Sequence, residues 1–350
     1  MCISEILAEP DRFLSMMNTS TTLKGIIASA LSLVLIPLTV VAPAHAASST
    51  VDTDVLLTAG VWDMGDLTTL AAGSDVALVL GPTGIPTPSE SYIETVYNNY
   101  LIPTGLYNGD MTNVFSLTTP ELSGNTAEVL PMDQADIMAA LVPLLMNGHD
   151  VTLFGYSQST AAINASLNEL YDTYGEDVTG HVNFVMVGNS GSPFGMLNNL
   201  YESLPSWMQW LLYQTASMFS LDRGVLNFGE NEPSLYITPD NFRGDVFTLG
   251  SSSGMFPDGY ATWGTNSLAD GSWIGQFLGM FTTHEMYLGV SAEDVASSLA
   301  AHGGGDLVNY IDLNPTDGPL TLLAEAAMNV GWVPASIGEP LSDFFSTFGL

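Results

Sequence analysis

The chain has 350 residues, 46% of them hydrophobic, which is enough for one large domain or two small ones with a packed core. Four residues are Lys or Arg, 37 are Asp or Glu, and the formal net charge is −33. So acidic a surface repels phosphate backbones and excludes nucleic-acid binding. The cations are Arg12, Lys24, Arg223 and Arg243, so no lysine after residue 24 can serve a nucleotide-phosphate loop, a Schiff base or a kinase site.

The first 46 residues have the pattern of a secretory signal. Lys24 precedes an apolar run over 25–41, and small residues lead to a cleavage site after Ala46. An uncleaved membrane anchor is the alternative. We expect a protein that is secreted or held in the cell envelope, with one domain over 47–350. Since Cys2 is the only cysteine, that domain would have no disulfide, zinc thiolate or cysteine nucleophile.

Short apolar runs alternate with segments of helical spacing along the rest of the chain. Runs bounded by turn residues predict strands buried on both faces, and a period of 3.6 predicts amphipathic helices. This alternation predicts an α/β domain with a mainly parallel sheet. The predicted strands are 76–80, 151–154, 182–187 and 234–238, and the predicted helices are 134–146 and 158–174.

Two further segments, 194–219 and 254–281, are rich in large apolar side chains. They predict either ordinary core helices or a cap beside an apolar substrate cleft. Met-rich segments suit a cap because the flexible Met side chain adapts to different apolar ligands. In the second interpretation we expect Trp207, Trp210 and Phe219 to line the acyl side of the cleft.

Gly155-Tyr156-Ser157-Gln158-Ser159 lies between a predicted strand and a predicted helix, which is the setting of a nucleophile elbow. Such a turn needs small residues two positions before and after the nucleophile, and Gly155 and Ser159 meet that need. It would raise the Ser157 hydroxyl above the sheet and aim the Gln158 backbone N–H at a developing oxyanion. A helix simply capped by serine is the alternative.

The segment from Gly155 to Ala161 resembles the elbow of cutinase-like serine esterases. Residues 78–89 (LVLGPTGIPTPS), followed by Tyr92 and Tyr100, resemble the opening of the PE-PPE domain family of mycobacteria and their relatives, and residues 187–189 resemble that family's loop after a strand. The resemblance extends over about 76–318. It implies an α/β-hydrolase fold and a Ser-Asp-His triad that acts on acyl esters without cofactor or metal.

The chain order Ser, acid, His of that fold leaves His284 and His302 as candidate bases. His284 resembles the histidine of the family's His-x-x-Tyr segment and is the predicted base. Asp245 is similar to the acid in the Gly-Asp-x-Val stretch of cutinase-like enzymes and is the predicted acid, unless it only pairs with Arg243. Asp258 is the second candidate and Asp240 the third.

The oxyanion hole needs a second donor from the loop after the first strand. Thr83 is the predicted donor, through its backbone N–H or its hydroxyl, and Gly84 is the alternative. We expect Gly81 and Gly84 to be glycines because the backbone approaches closely there.

Together these features predict a secreted serine hydrolase that cleaves neutral, lipid-like acyl esters through an acyl-enzyme. An acyltransferase that builds envelope glycolipids would use the same residues. A third possibility is a non-catalytic envelope protein that binds lipid or glycan on a hydrolase scaffold, which a His284 side chain far from Ser157 would favour.

Overall fold

The computed structural model describes residues 70–71, 73–121, 126–174, 181–189, 246–250, 258, 279, 282–302 and 308–347. The chain divides into two units, Met1–Ser49 and Thr50–Leu350, and all described residues belong to the second. The predicted leader and the predicted strand 234–238 lie outside the described residues. So do segment 194–219 and all of segment 254–281 except Asp258 and Gly279.

The described strands form one parallel sheet in the order β2-β1-β3-β4-β5-β6. All their carboxyl ends therefore meet at one edge, where ligands bind in open parallel sheets. The strands are β1 (Asp75–Val79), β2 (Val114–Ser116), β3 (Asp150–Tyr156), β4 (Val182–Val187), β5 (Val246–Gly250) and β6 (Val308–Asp312).

Helices cover both faces of this sheet. The short helix α1 continues through a π-helical turn, Tyr97–Leu101, into α2, and two 3-10 turns, Thr283–Glu285 and Tyr287–Gly289, carry the segment around His284. The helices are α1 (Glu90–Val96), α2 (Ile102–Thr104), α3 (Thr126–Met146), α4 (Gln158–Tyr174), α5 (Ala292–His302), α6 (Pro319–Asn329) and α7 (Ala335–Thr347).

Alternate residues of the central strands enter two separate hydrophobic cores. In β3, Leu153 packs with α3 and α4 on one face, and Phe154 and Tyr156 pack with α1, α6 and the 3-10 turns on the other. All three side chains are buried. Because side chains alternate between the two faces along a strand, Tyr156 lies on the same face as Phe154, which is the face that carries His284.

The fold confirms the predicted α/β class with its mainly parallel sheet. Strand β4 and helix α4 have the predicted bounds, whereas β1 is shifted by one residue and β3 extends to Tyr156. Helix α3 begins at Thr126 rather than at residue 134.

Within the described ranges, one helical stretch, Val129–Met146 in α3, is long and apolar enough to cross a membrane by length and composition. A core helix of a folded domain passes the same test. Ile137, Leu141 and Leu144 of this stretch are buried in the core against the sheet, as expected for a core helix.

Helix α6 supports the turn that follows His284. A Cβ added at Gly289 would lie 2.0 Å from the carbonyl oxygen of Leu322, so the two backbones touch. The side-chain Nδ2 of Asn329 donates a hydrogen bond of 2.6 Å to the carbonyl of Leu288. The C-terminal part of the chain therefore fixes the backbone next to His284.

We predict that Asn329→Ala lowers the free energy of unfolding by about 1–2 kcal/mol, because it leaves the buried Leu288 carbonyl unpaired. Asn314→Ala is the matched control. The Asn314 amide also donates to a backbone carbonyl, that of Asp312, but at an exposed position, and its loss should cost at most about 0.5 kcal/mol. Urea denaturation followed by circular dichroism measures both, and equal losses would contradict the support assigned to α6.

Candidate active site

Ser157 occupies a strained turn at the carboxyl edge of the sheet. It links the last residue of β3 to the first residue of α4, and its backbone has a left-handed φ of 59°. This conformation is unusual for a residue with a Cβ and costs of order 1–3 kcal/mol. The Ser157 N–H donates to the carbonyl of Val187, 3.0 Å away, which ties the turn to β4. The side chain is half-buried, so its hydroxyl can meet a substrate.

The small residues around Ser157 are explained by local contacts. A Cβ at Gly155 would lie 2.4 Å from Cδ1 of Ile163 in α4, so a larger residue would have to displace the end of that buried side chain. The Ser159 hydroxyl accepts from the N–H of Tyr156 at 2.9 Å and donates to the carbonyl of Tyr156 at 3.1 Å. Serine at this position therefore fastens the strand end to the helix start, which a glycine could not do.

His284 lies between Ser157 and a buried carboxylate. Its Nε2 is 2.8 Å from the Ser157 Oγ, and its Nδ1 is 3.0 Å from Oδ2 of Asp258. His284 is 4% exposed and Asp258 is fully buried. A nucleophile, a base and an orienting acid in hydrogen-bond contact form the arrangement that activates a serine hydroxyl.

Asp258, the second candidate acid of the sequence analysis, is the described carboxylate at His284. Asp245 lies outside the described residues, but the next residue, Val246, begins β5 and pairs in register with Phe184, which pairs with Leu153. Four residues separate Leu153 from Ser157, or about 13 Å along the strand. Val246, the residue after Asp245, thus begins a strand, and the contact with His284 favours Asp258 as the acid.

Three tyrosine hydroxyls fix the His284 segment. The Tyr287 hydroxyl donates to Oδ2 of Asp258 at 2.5 Å. The Tyr156 hydroxyl donates to the backbone carbonyl of His284, and the Tyr100 hydroxyl donates to that of Tyr287. All three side chains are buried. Sequence reasoning noted Tyr100 and the His-x-x-Tyr spacing but did not assign a role to any of the three.

Two opposing effects set the pKa of His284. Burial lowers it, because the imidazolium loses its hydration, but the charge and hydrogen bond of Asp258 raise it, with a further contribution from Glu285. The net result is a pKa above the ordinary value of 6.5. Asp258 therefore stabilises the imidazolium that forms when the neutral ring accepts the serine proton.

A hydrogen bond joins the elbow to the loop after β1. The Thr83 hydroxyl donates to Oε1 of Gln158, 2.6 Å away. The hydroxyl proton of Thr83 is therefore engaged, and its backbone N–H is the group left to meet an oxyanion. The Gln158 N–H, at the first residue of α4, has no partner within a helix. The alternative donor, Gly84, is excluded because its N–H donates to the carbonyl of Glu121 at 2.7 Å.

The two glycines of this loop are needed for different reasons. A Cβ at Gly81 would lie 2.1 Å from the carbonyl oxygen of Ile85, so the predicted close approach of the backbone exists there. Gly84 has open space around it, and its φ of +86° requires glycine instead. The prediction of close approach was wrong for Gly84.

Several residues predicted for the site either lie outside the described residues or lie away from Ser157. Trp207, Trp210, Phe219 and Asp240 lie outside the described residues. His302, the alternative base, is an exposed residue at the end of α5. In the part of the chain that the structure describes, no three His, Cys, Asp or Glu side chains are placed to hold a metal ion.

Comparison with known proteins agrees with the resemblance seen in the sequence. Residues 115–217 match the PE-PPE domain family. The chain is 25% identical over 266 residues to Esterase PE16 of Mycobacterium tuberculosis, which covers 72% of this chain and 44% of the relative. It is 27% identical over 138 residues to the uncharacterized PPE family protein PPE28 of that organism, and this match covers 36% of this chain and 20% of that relative. The matches thus span less than half of each relative's length, and they support an esterase-type hydrolase.

We predict that Gly188→Ala abolishes fluorophosphonate labelling of Ser157. A Cβ at Gly188 would lie 2.7 Å from Cε1 of His284 and push the ring away from the serine. Gly148→Ala is the matched control, because φ is +78° there and +65° at Gly188, but the space around Gly148 is open. Both changes add similar backbone strain, of order 1 kcal/mol.

Labelling should fall at least about 100-fold in Gly188→Ala and stay within about twofold in Gly148→Ala, since only the first displaces the base. Gel fluorescence of the labelled protein measures the rate, and circular dichroism checks the fold. Equal labelling of the two variants would contradict the role of His284.

Proposed function

Because residues 115–217 match the PE-PPE domain family, we propose that the chain is a secreted serine hydrolase that cleaves neutral acyl esters through an acyl-enzyme. The observation that carries this proposal is the hydrogen-bonded series of Ser157, His284 and Asp258 on a strained elbow. The contact between His284 and Ser157 also argues against a lipid-binding protein without catalysis, for which the histidine would be far from the serine. The signal-like leader over 1–46 supports export.

In the first half of the reaction, Ser157 Oγ attacks the carbonyl carbon of the ester while Nε2 of His284 accepts its proton. Asp258 orients the ring through Nδ1 and stabilises the imidazolium that forms. The backbone N–H groups of Gln158 and Thr83 bind the oxyanion. The tetrahedral intermediate then collapses, His284 returns the proton to the departing alcohol oxygen, and the acyl group remains on Ser157.

In the second half, water attacks the acyl-enzyme and His284 accepts its proton. Collapse of the second intermediate releases the carboxylic acid and returns the proton to Ser157. An alcohol acceptor in place of water would give acyl transfer through the same residues. Product analysis with and without an added sugar therefore distinguishes hydrolysis from transfer.

The charge of the chain supports a neutral substrate. Only Arg223 and Arg243 could pair with a charged substrate after the leader is removed, and the net charge repels anions. A neutral acyl chain gains about 0.8 kcal/mol for each buried methylene. We propose that Trp207, Trp210 and Phe219 supply the apolar wall.

We predict that Ser157→Ala abolishes hydrolysis of neutral p-nitrophenyl esters, whereas Ser91→Ala, at an exposed serine of α1, leaves it unchanged. For the wild type, kcat/KM should rise several-fold from two to about six or eight acyl carbons, since each methylene is buried. Trp210→Ala should flatten this rise.

Two outcomes separate the parts of the proposal. Hydrolysis by Ser157→Ala at the wild-type rate would end the proposed mechanism. A profile that peaks at acetate and ignores Trp210→Ala would remove the apolar wall but leave the mechanism standing.

We predict that Asp258→Asn lowers kcat by roughly 10³–10⁴-fold, because the amide no longer holds the required imidazole tautomer. Asp245→Asn, the matched control, should change kcat by less than about twofold, since the carboxylate at Nδ1 is that of Asp258. Steady-state kinetics with one ester measures both. The reverse ranking would restore Asp245 as the acid.

The pH profile gives an independent check on the same pair. The base must be neutral, so kcat/KM falls as the pH drops through the raised pKa of His284, and the midpoint should lie above 6.5. Asp258→Asn removes the main cause of that raised pKa and should move the midpoint to lower pH.

A further inference from the structure

Two carboxyl groups that the proposed mechanism does not use are buried behind the loop that carries Thr83. Glu121 follows β2 and Asp133 lies in α3, and both side chains are fully buried. The backbone N–H of Glu121 donates to Oδ1 of Asp133, 3.4 Å away. A pair of acids at such a position needs a reason, because burying a charge without a partner is expensive.

Glu121 holds the Thr83 loop in place through its backbone. Its carbonyl accepts the hydrogen bond of 2.7 Å from the N–H of Gly84, the residue next to Thr83. Its own φ of 38° is left-handed, which is uncommon and strained for a residue with a side chain. This backbone therefore has to be held by its surroundings.

The surroundings provide two such bonds. The first is the bond from the Glu121 N–H to Asp133, and in the second the Thr119 hydroxyl donates to Oε1 of Glu121 at 3.1 Å. A separate bond reaches the loop, because the Thr119 N–H donates to the carbonyl of Pro86 at 3.0 Å. The loop is thus fastened at Gly84 and at Pro86 to the segment around Glu121.

No Lys, Arg or His lies between residues 84 and 148 of the sequence, and in the described part of the chain no ion pair is formed by either acid. The other titratable groups that face the pair are Asp136, one turn further along α3, and Tyr92 of α1. Neither compensates a negative charge. Oε2 of Glu121 and Oδ2 of Asp133 are buried and have no hydrogen-bond partner in the described structure.

Such a pair retains a proton near neutral pH. Burial raises the pKa of Asp133 to about 7, against the lowering effect of the bond from the Glu121 N–H and with a further increase from Asp136. Burial and the charge of Asp133 also raise the pKa of Glu121, although the Thr119 bond lowers it. Two adjacent buried carboxylates cannot both ionise without strong repulsion.

We propose that Glu121 and Asp133 are positioning residues for the oxyanion donor, and that a proton retained by the pair keeps the Thr83 loop in its productive place. Loss of that proton places two negative charges side by side, drives Glu121 away from Asp133 and breaks its hydrogen bond to Gly84. The effect on turnover rests on the proposed function, whereas the effect on the loop does not.

The test compares wild type with Glu121→Gln, a neutral side chain that keeps an oxygen for the Thr119 bond, and with Glu94→Gln, an exposed carboxylate of α1, as the control. Amide hydrogen exchange at Gly84, corrected for the intrinsic pH effect, reports on the loop without any substrate. We expect its protection to fall at least about tenfold from about pH 7 to about pH 9 in wild type and in Glu94→Gln.

In Glu121→Gln the protection should change less than about twofold over the same range, because only one ionisable group remains. Equal pH dependence in wild type and Glu121→Gln would overturn the proposal. This readout also applies if the protein proves inactive on every ester, so failure of the proposed function is distinguishable from failure of the proton-dependent loop.

Kinetics give a second readout for an active enzyme. Asp133→Ala removes the acceptor for the Glu121 N–H and should lower kcat at least about tenfold with KM within about twofold, as for a donor used in the transition state. Asp133→Asn keeps an oxygen acceptor and should restore kcat. An equal loss in both variants, or a loss confined to KM, would contradict a positioning role.

Discussion

The left-handed backbone of Ser157 is the constraint on which the rest of the site depends. A parallel strand that ends at Tyr156 and a helix that begins at Gln158 can be joined through one residue only if that residue adopts a positive φ. The bonds between Ser159 and Tyr156, and that from Ser157 to β4, supply the stabilisation that offsets the strain. The same turn brings a helix N-terminus, with its free N–H groups, to the edge of the sheet beside the serine.

Tyrosine hydroxyls supply several of the polar contacts around His284. Asp258 is a fully buried carboxylate that contacts the Tyr287 hydroxyl and the ring of His284. Tyr100 and Tyr156 act on the backbone of the same segment. Phenols suit this role because each donates a hydrogen bond and brings a large apolar surface with it.

Sequence reasoning predicted those parts of the fold and the candidate site that depend on local pattern. The strand before Ser157, the helix after it and the elbow between them follow from periodicity and small residues. His284 came from its resemblance to a family segment. Strand β6, with the sequence VNYID, was not predicted, since its apolar residues are too few for a buried run.

The structure was needed to favour Asp258 over Asp245 as the acid, because a short motif does not show which end of a strand it adjoins. Asp245 precedes β5, and only the register of the sheet reveals this. The Glu121 and Asp133 pair was also missed, although a signal existed. Asp133 lies three residues after Leu130 and four before Ile137, so helical spacing places a carboxyl on the buried face of α3.

The dependence of the His284 segment on α6 has a consequence for the order in which the site forms during synthesis. Ser157 leaves the ribosome long before Leu322 and Asn329, whose contacts with Gly289 and Leu288 hold the turn beside the histidine. A nascent chain therefore carries its nucleophile for more than 160 residues of elongation without a fixed base beside it. In the proposed mechanism, Ser157 would therefore gain its base only when the domain itself is nearly complete.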